Sequence, residues 1–182
     1  MLCIMNLLIQ LLTYFRIFIA PVIFILITQF DFYGWALSLF ILASISDYWD
    51  GLLARKYQLE STMGAILDPI ADKILVTFLI LALSLELSSI FVGLIGGLIL
   101  VREFWVGALR NFNARNNNNE ATQVSFLSKT KTTIQFLTFT FYLLGLYSNS
   151  ALLLFVSNFF LFLALIITLQ TGVSYTIASF KR

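Results

Sequence analysis

Histidine is missing from the 182 residues, there is one cysteine, Cys3, and there are only two prolines. Without histidine, a Ser-His-Asp triad, an imidazole base and a histidine-containing zinc site are all excluded. Acid-base chemistry must fall to Asp, Glu, Lys or Tyr. A single cysteine closes no intramolecular disulfide and builds no multi-cysteine metal centre. Charge is scarce too: 11% of residues are charged, where a soluble domain carries roughly 25%. A net charge of +2 leaves no electrostatic footprint for nucleic acid. Hydrophobic residues make up 60% of the chain, and the mean hydropathy is +0.95. Too little polar surface remains to cover a water-facing globule, so an integral membrane protein is expected.

A bilayer core is crossed by about 20 predominantly apolar residues. Six such stretches can be marked, near Leu11 to Gln29, Tyr33 to Arg55, Gly64 to Leu87, Ile90 to Phe112, Ser128 to Tyr147 and Ala151 to Gln170. The expectation is an all-α fold of six transmembrane helices forming a single domain over 1–182. The first stretch lacks a preceding Lys or Arg and holds Arg16 inside it, which is not the pattern of a cleaved signal. Pro21 should kink it or end a short helix there. Three connections, at 29–32, 86–89 and 148–150, contain no Lys or Arg, whereas Arg55, Lys56, Arg110, Arg115, Lys129, Lys181 and Arg182 gather at the opposite ends. The positive-inside rule makes the basic ends cytosolic. Six spans then put both termini in the cytosol. The polar tract Asn113 to Ser125 reads as a surface loop.

Charges inside membrane spans are costly and point to function. Asp47 and Asp50 fall in the second stretch, Asp68 and Asp72 in the third. At helical spacing Asp47, Asp50, Gly51 and Ala54 share one stripe, as do Gly64, Asp68 and Asp72. The connection between the stretches is short, so the two acidic stripes should lie on antiparallel neighbours near the cytosolic face. Converging carboxylates repel one another and require a cation among them. Hard divalent ions take oxygen ligands and leave positions for phosphates, and two such ions can clamp a phosphoryl group in transfer. A structural cluster neutralised by Arg55 and Lys73, or a divalent-cation transport pathway, are the alternatives at this point.

The string itself is more specific. Asp47, Asp50, Gly51, Ala54, Arg55, Gly64, Asp68 and Asp72 stand in the order D-x2-D-G-x2-A-R-x8-G-x3-D-x3-D, which resembles the CDP-alcohol phosphatidyltransferase family at every fixed position. The resemblance implies a six-helix membrane enzyme, usually a homodimer, that displaces CMP from a CDP-linked lipid by an alcohol. It implies a Mg²⁺ or Mn²⁺ site of two ions held by Asp47, Asp50 and Asp68, with Asp72 as the base for the acceptor hydroxyl and a further contact to metal. Asp47, Gly51, Ala54 and Gly64 would accommodate the CDP-lipid, and Arg55 its diphosphate. An intramembrane prenyltransferase also uses Asp pairs and Mg²⁺, but without the fixed Gly, Ala and Arg.

Basic residues outside this string bear on the acceptor. Arg102 and Arg110, with Lys129 and Lys131, supply the forks and point charges that a phosphate-bearing alcohol needs. The strings Leu12-Thr13-x-x-Arg16, Arg102-Glu103-x5-Leu109-Arg110 and Lys129-x-Lys131-Thr132-x-x-Gln135 resemble the bacterial branch of the family whose acceptor is glycerol 3-phosphate. Ser128 stands where that branch usually has glycine, and the last stretch carries no motif. The partners implied are CDP-diacylglycerol, glycerol 3-phosphate and membrane lipids, in a bacterial cytoplasmic membrane; inositol phosphate or serine is the alternative acceptor.

Overall fold

The computed structural model describes residues 2–57, 62–115 and 126–180, with side chains over 11–47, 49, 67–114 and 130–180. All regular structure among them is helical: α1 (Leu2–Thr28), α2 (Tyr33–Tyr57), α3 (Thr62–Glu86), α4 (Ile90–Arg115), α5 (Phe126–Tyr147) and α6 (Ala151–Phe180). Helix is the form that satisfies backbone polar groups within one segment, which hydrocarbon demands. Three stretches are long and apolar enough to cross a membrane on composition alone, Leu11–Thr28, Ile90–Ala114 and Ala151–Phe180. In α2 the apolar run among the described residues is Tyr33–Asp47. Large apolar side chains face outward throughout, among them Phe18, Trp35, Ile90, Leu94, Val101, Leu152 and Phe155, while Arg16, Arg102, Lys131, Gln135 and Thr171 are buried. That inversion is the signature of a protein whose outer solvent is lipid.

Two sequence expectations change. Pro21 neither ends nor shortens its helix, since α1 runs through it to Thr28; the residue lacks an N–H for the carbonyl of Ile17, but the rest of the ladder carries the helix on. Asn113 is not the start of a loop. It lies in α4, buried, and its amide donates to Ser179 Oγ at 2.7 Å. The remainder of that polar tract, 116–125, lies outside the described residues.

The helices fall into two compact units, Met1–Ser88 and Ser89–Arg182. In the first, α1 packs against both α2 and α3. Its buried stripe is Thr13, Arg16, Ala20, Ile23 and Ile27, recurring every three or four residues as a helix seam requires. Ala36, Phe40 and Ala43 of α2 and Ala71, Leu75, Leu79 and Leu83 of α3 form the other walls. Asp47 of α2 and Asp68 and Asp72 of α3 all reach α1.

In the second unit α6 is the shared helix, packed against α4 and α5. Its seam runs Ser157, Leu161, Ala164, Thr168, Thr171 and Tyr175; that of α4 runs Val92, Ile95, Ile99, Arg102, Val106, Leu109 and Asn113. Short left-handed turns close the helix ends without glycine: Asp31, Ser88 and Asn149 have φ of 54°, 46° and 52°. At the last, Asn149 N–H donates to Leu146 O and Ser150 N–H to Gly145 O, a Schellman cap. Ser89 Oγ and Ser150 Oγ then accept from Val92 N–H and Leu153 N–H and cap the next helices.

Gly145 has a packing role as well. A Cβ there would stand 2.8 Å from Leu154 Cδ2, 3.1 Å from Leu154 Cγ and 3.3 Å from Leu153 Cβ, so Leu154 must shift as a whole by a few tenths of an ångström. The Leu153 Cβ cannot rotate away. Gly145→Ala should be close to neutral, because the helix propensity gained, about 1 kcal/mol, offsets the small shift. Gly145→Val should destabilise by about 1–3 kcal/mol, seen as a lower Tm of the detergent-solubilised protein.

Candidate active site

The first unit gathers carboxylates from α2 and α3 at one point on α1. Arg16 Nη1 donates to Asp47 Oδ1 and, at 2.5 Å, to Asp72 Oδ1, and Nη2 reaches Asp68 Oδ1 at 3.5 Å. Thr13 Oγ1, one turn earlier on α1, donates to Asp68 Oδ1 at 2.6 Å. The guanidinium is fully buried, while the three Asp side chains remain 46%, 39% and 52% exposed. Each Asp sits where an apolar seam continues, in register with Ala43 on α2 and with Leu75 and Leu79 on α3. Helical spacing thus turns them toward α1, and Arg16 continues the α1 seam toward them.

The cation that converging carboxylates require is, here, a side chain. Arg16 and the three Asp together carry two net negative charges, one positive against three negative. Among the described residues no three carboxylates by themselves form a metal-holding group; they converge on the guanidinium. Asp50, Gly51, Ala54, Arg55 and Gly64 belong to α2 and α3, and their side chains lie outside the described residues.

The second unit holds the basic residues. Arg102, 7% exposed, donates through Nη1 to Glu103 Oε1 at 3.3 Å and through Nη2 to Thr171 Oγ1. Lys131 Nζ is paired with the same Glu103 Oε1. Two turns along α4, Arg110 Nη2 donates to Tyr175 Oη at 2.8 Å, with its guanidinium carbon 4.9 Å from the ring centroid. A cation over an aromatic face is attracted by the ring quadrupole. Arg102, Arg110 and Lys131 against Glu103 leave this cluster two charges positive. The Lys129 side chain lies outside the described residues.

Residues 6–170 match the sequence model of the CDP-alcohol phosphatidyltransferase family. The chain belongs to that family. Its activity is accordingly that of a phosphatidyltransferase. Among its relatives is the CDP-diacylglycerol–glycerol-3-phosphate 3-phosphatidyltransferase of Rickettsia bellii (strain RML369-C), 41% identical over 138 residues, covering 75% of this chain and 74% of that one. Proteins of the same name in Wigglesworthia glossinidia brevipalpis and Salmonella typhimurium are 36% and 34% identical over 129 residues, covering 69% of this chain and 70% of theirs.

Two sets of residues in this phosphatidyltransferase went unassigned by sequence reasoning. Thr13 and Arg16 fall in a string that by itself assigns them no role, although their place on the α1 seam with Ala20 and Ile23 marks them as inward-facing. The α6 hydroxyls Thr171, Tyr175 and Ser179 belong to no motif; their four-residue spacing on an apolar helix is the signal.

Removing the charge of Arg16 should cost stability directly. Loss of one partner from a buried ion pair costs about 3–5 kcal/mol, and half-exposed carboxylates screen part of that. Arg16→Gln should therefore lose about 1–3 kcal/mol, with Arg16→Lys intermediate, measured as the fall in Tm in detergent.

Proposed function

We propose that this phosphatidyltransferase moves the phosphatidyl group of CDP-diacylglycerol to the primary hydroxyl of glycerol 3-phosphate, forming phosphatidylglycerophosphate and releasing CMP. One observation carries the reading: Asp47, Asp68 and Asp72, from two helices, converge at one buried cation inside the family's own motif. The acceptor is supported by the printed names of relatives 34–41% identical to the chain and by the excess positive charge around Arg102, Arg110 and Lys131.

The acidic residues fit a divalent ion by chemistry. Every donor is a carboxylate oxygen, the hard ligand that Mg²⁺ or Mn²⁺ prefers, and partial exposure leaves them reachable. Asp47, Asp50, Asp68 and Asp72 would hold the metal, as two ions. Bound there, the metal would neutralise the diphosphate and stabilise charge on the departing CMP.

The chain's own residues do the rest. Asp72 takes the proton from the acceptor hydroxyl as that oxygen bonds to the phosphatidyl phosphorus and the phosphorus–oxygen bond to CMP breaks. Gly51, Ala54 and Gly64 leave space for the CDP headgroup beside Asp47, and Arg55 pairs with its phosphates. Arg102, Arg110, Lys129 and Lys131 receive the acceptor phosphate, where guanidinium forks bind two oxygens at once.

This reading makes 1–182 one catalytic domain. Helices α2, α3 and α5, of 25, 25 and 22 residues, reach about 30 Å or more at 1.5 Å per residue. All six helices then span the membrane, with both termini and the active site at the cytosolic face of a bacterial cytoplasmic membrane. The enzyme works as a homodimer.

The test is CMP release by purified protein given CDP-diacylglycerol and Mg²⁺ or Mn²⁺, with glycerol 3-phosphate, inositol phosphate and serine offered separately. Glycerol 3-phosphate alone should support release, chelation should abolish it, and Asp72→Asn should slow it by about 10²–10⁴-fold. Turnover with another acceptor would replace the acceptor. Metal flux across sealed vesicles without CMP release would make the protein a transporter.

A further inference from the structure

The α6 helix offers the basic cluster an unusual set of partners. Arg102 Nη2 meets Thr171 Oγ1, and Arg110 Nη2 meets Tyr175 Oη. Both acceptors are neutral. The Thr171 hydroxyl gives its own proton to the backbone, with Ile167 O at 2.8 Å and Thr168 O at 3.0 Å, so its lone pairs are turned to the guanidinium. Between these residues lies Gly172, where a Cβ would stand 3.0 Å from Arg102 Cγ and 3.2 Å from its Nε. The arginine thus lies against bare helix backbone. Thr171, Gly172 and Tyr175 are buried together on the α6 seam.

Neutral partners have a consequence that carboxylates would not. An Arg–carboxylate pair fixes the side chain but cancels its charge, whereas a hydroxyl or a ring face fixes it and leaves the charge for another anion. Glu103 alone is shared by Arg102 and Lys131, so the cluster stays positive. A long side chain held in place beforehand also loses less rotamer freedom when an anion arrives.

We propose that Thr171, Gly172 and Tyr175 are positioning residues for the acceptor phosphate: they seat Arg102 and Arg110 on α6 without neutralising them. The inference rests on the proposed function, because it assigns the phosphate of the acceptor to these two arginines. Thr171 orients the Arg102 fork, Gly172 admits it, and Tyr175 holds Arg110 by its hydroxyl and its ring.

The experiment uses the full-length protein in detergent with Thr171→Val, Thr171→Ser, Gly172→Ala and Tyr175→Phe, measuring kcat and the KM of each substrate separately. Thr171→Val should raise the KM for glycerol 3-phosphate at least tenfold, with the KM for CDP-diacylglycerol within about twofold. Thr171→Ser, which restores the acceptor oxygen, should recover most of the loss. Gly172→Ala should act like Thr171→Val, and Tyr175→Phe, which keeps the ring, should have the smallest effect. Because Gly172→Ala could fail to fold, the Val and Ser variants at Thr171 decide alone if it does. An unchanged KM for glycerol 3-phosphate in Thr171→Val overturns the inference while leaving the function intact. So does a parallel rise in both KM values that Thr171→Ser does not relieve, the mark of a merely structural role. A wild-type protein that releases no CMP with glycerol 3-phosphate overturns the function and this inference with it.

Discussion

A charge carried into hydrocarbon has to bring its counter-charge, and Arg16 is where this protein meets that demand. Its guanidinium is wholly buried on the α1 seam and touches Asp47, Asp68 and Asp72. An isolated charge in so apolar a setting costs several kcal/mol even after relaxation. The buried arginine depends on the three acids for its counter-charge, while the half-exposed acids keep part of their solvation. The packing of α1 against both acidic helices lets one residue of α1 reach both sets of oxygens. Half-exposure of the carboxylates leaves them accessible to a further cation, as the proposed function requires.

The second unit solves a related problem with the opposite sign. Arg102 and Lys131 are buried and share Glu103, while hydroxyls and an aromatic ring on α6 take up the remaining guanidinium groups. Hydrogen bonds to charged groups contribute about 1.5–3 kcal/mol, enough to hold the side chains without erasing their charge. Each unit is thus organised around one shared helix, α1 or α6, whose seam is apolar for most of its length and polar at the end where the charged residues lie.

That layout lets one helix carry both an apolar outer face and a polar stretch of seam. Along α6 the residues Leu161, Ala164 and Leu165 pack as an ordinary membrane seam, and Thr168, Thr171 and Tyr175 continue the same three- and four-residue spacing. Along α4, Val92, Ile95 and Ile99 lead to Arg102 and on to Asn113 in the same way. Polar groups on the outward face would meet lipid; on the seam they meet one another. Outward positions are left to residues such as Phe155, Phe159 and Val173.

The sequence by itself determined the membrane class, the helix limits to within a few residues except at the start of α1 and the end of α6, and the family, because these depend on local quantities: hydropathy, spacing along one chain and a string of eight fixed residues. It also marked Asp47, Asp68, Asp72, Arg102, Arg110 and Lys131, since a charge in an apolar stretch is conspicuous. Only the tertiary structure decided which groups meet. That Arg16 is the cation among the carboxylates depends on α1 lying against α2 and α3, and that α6 holds Arg102 and Arg110 depends on Thr171, Gly172 and Tyr175 facing α4. Hydroxyls and glycine are unremarkable in a membrane helix, so their part in the site comes from the partner across the seam. A linear reading sees the charge; packing alone selects its neighbours.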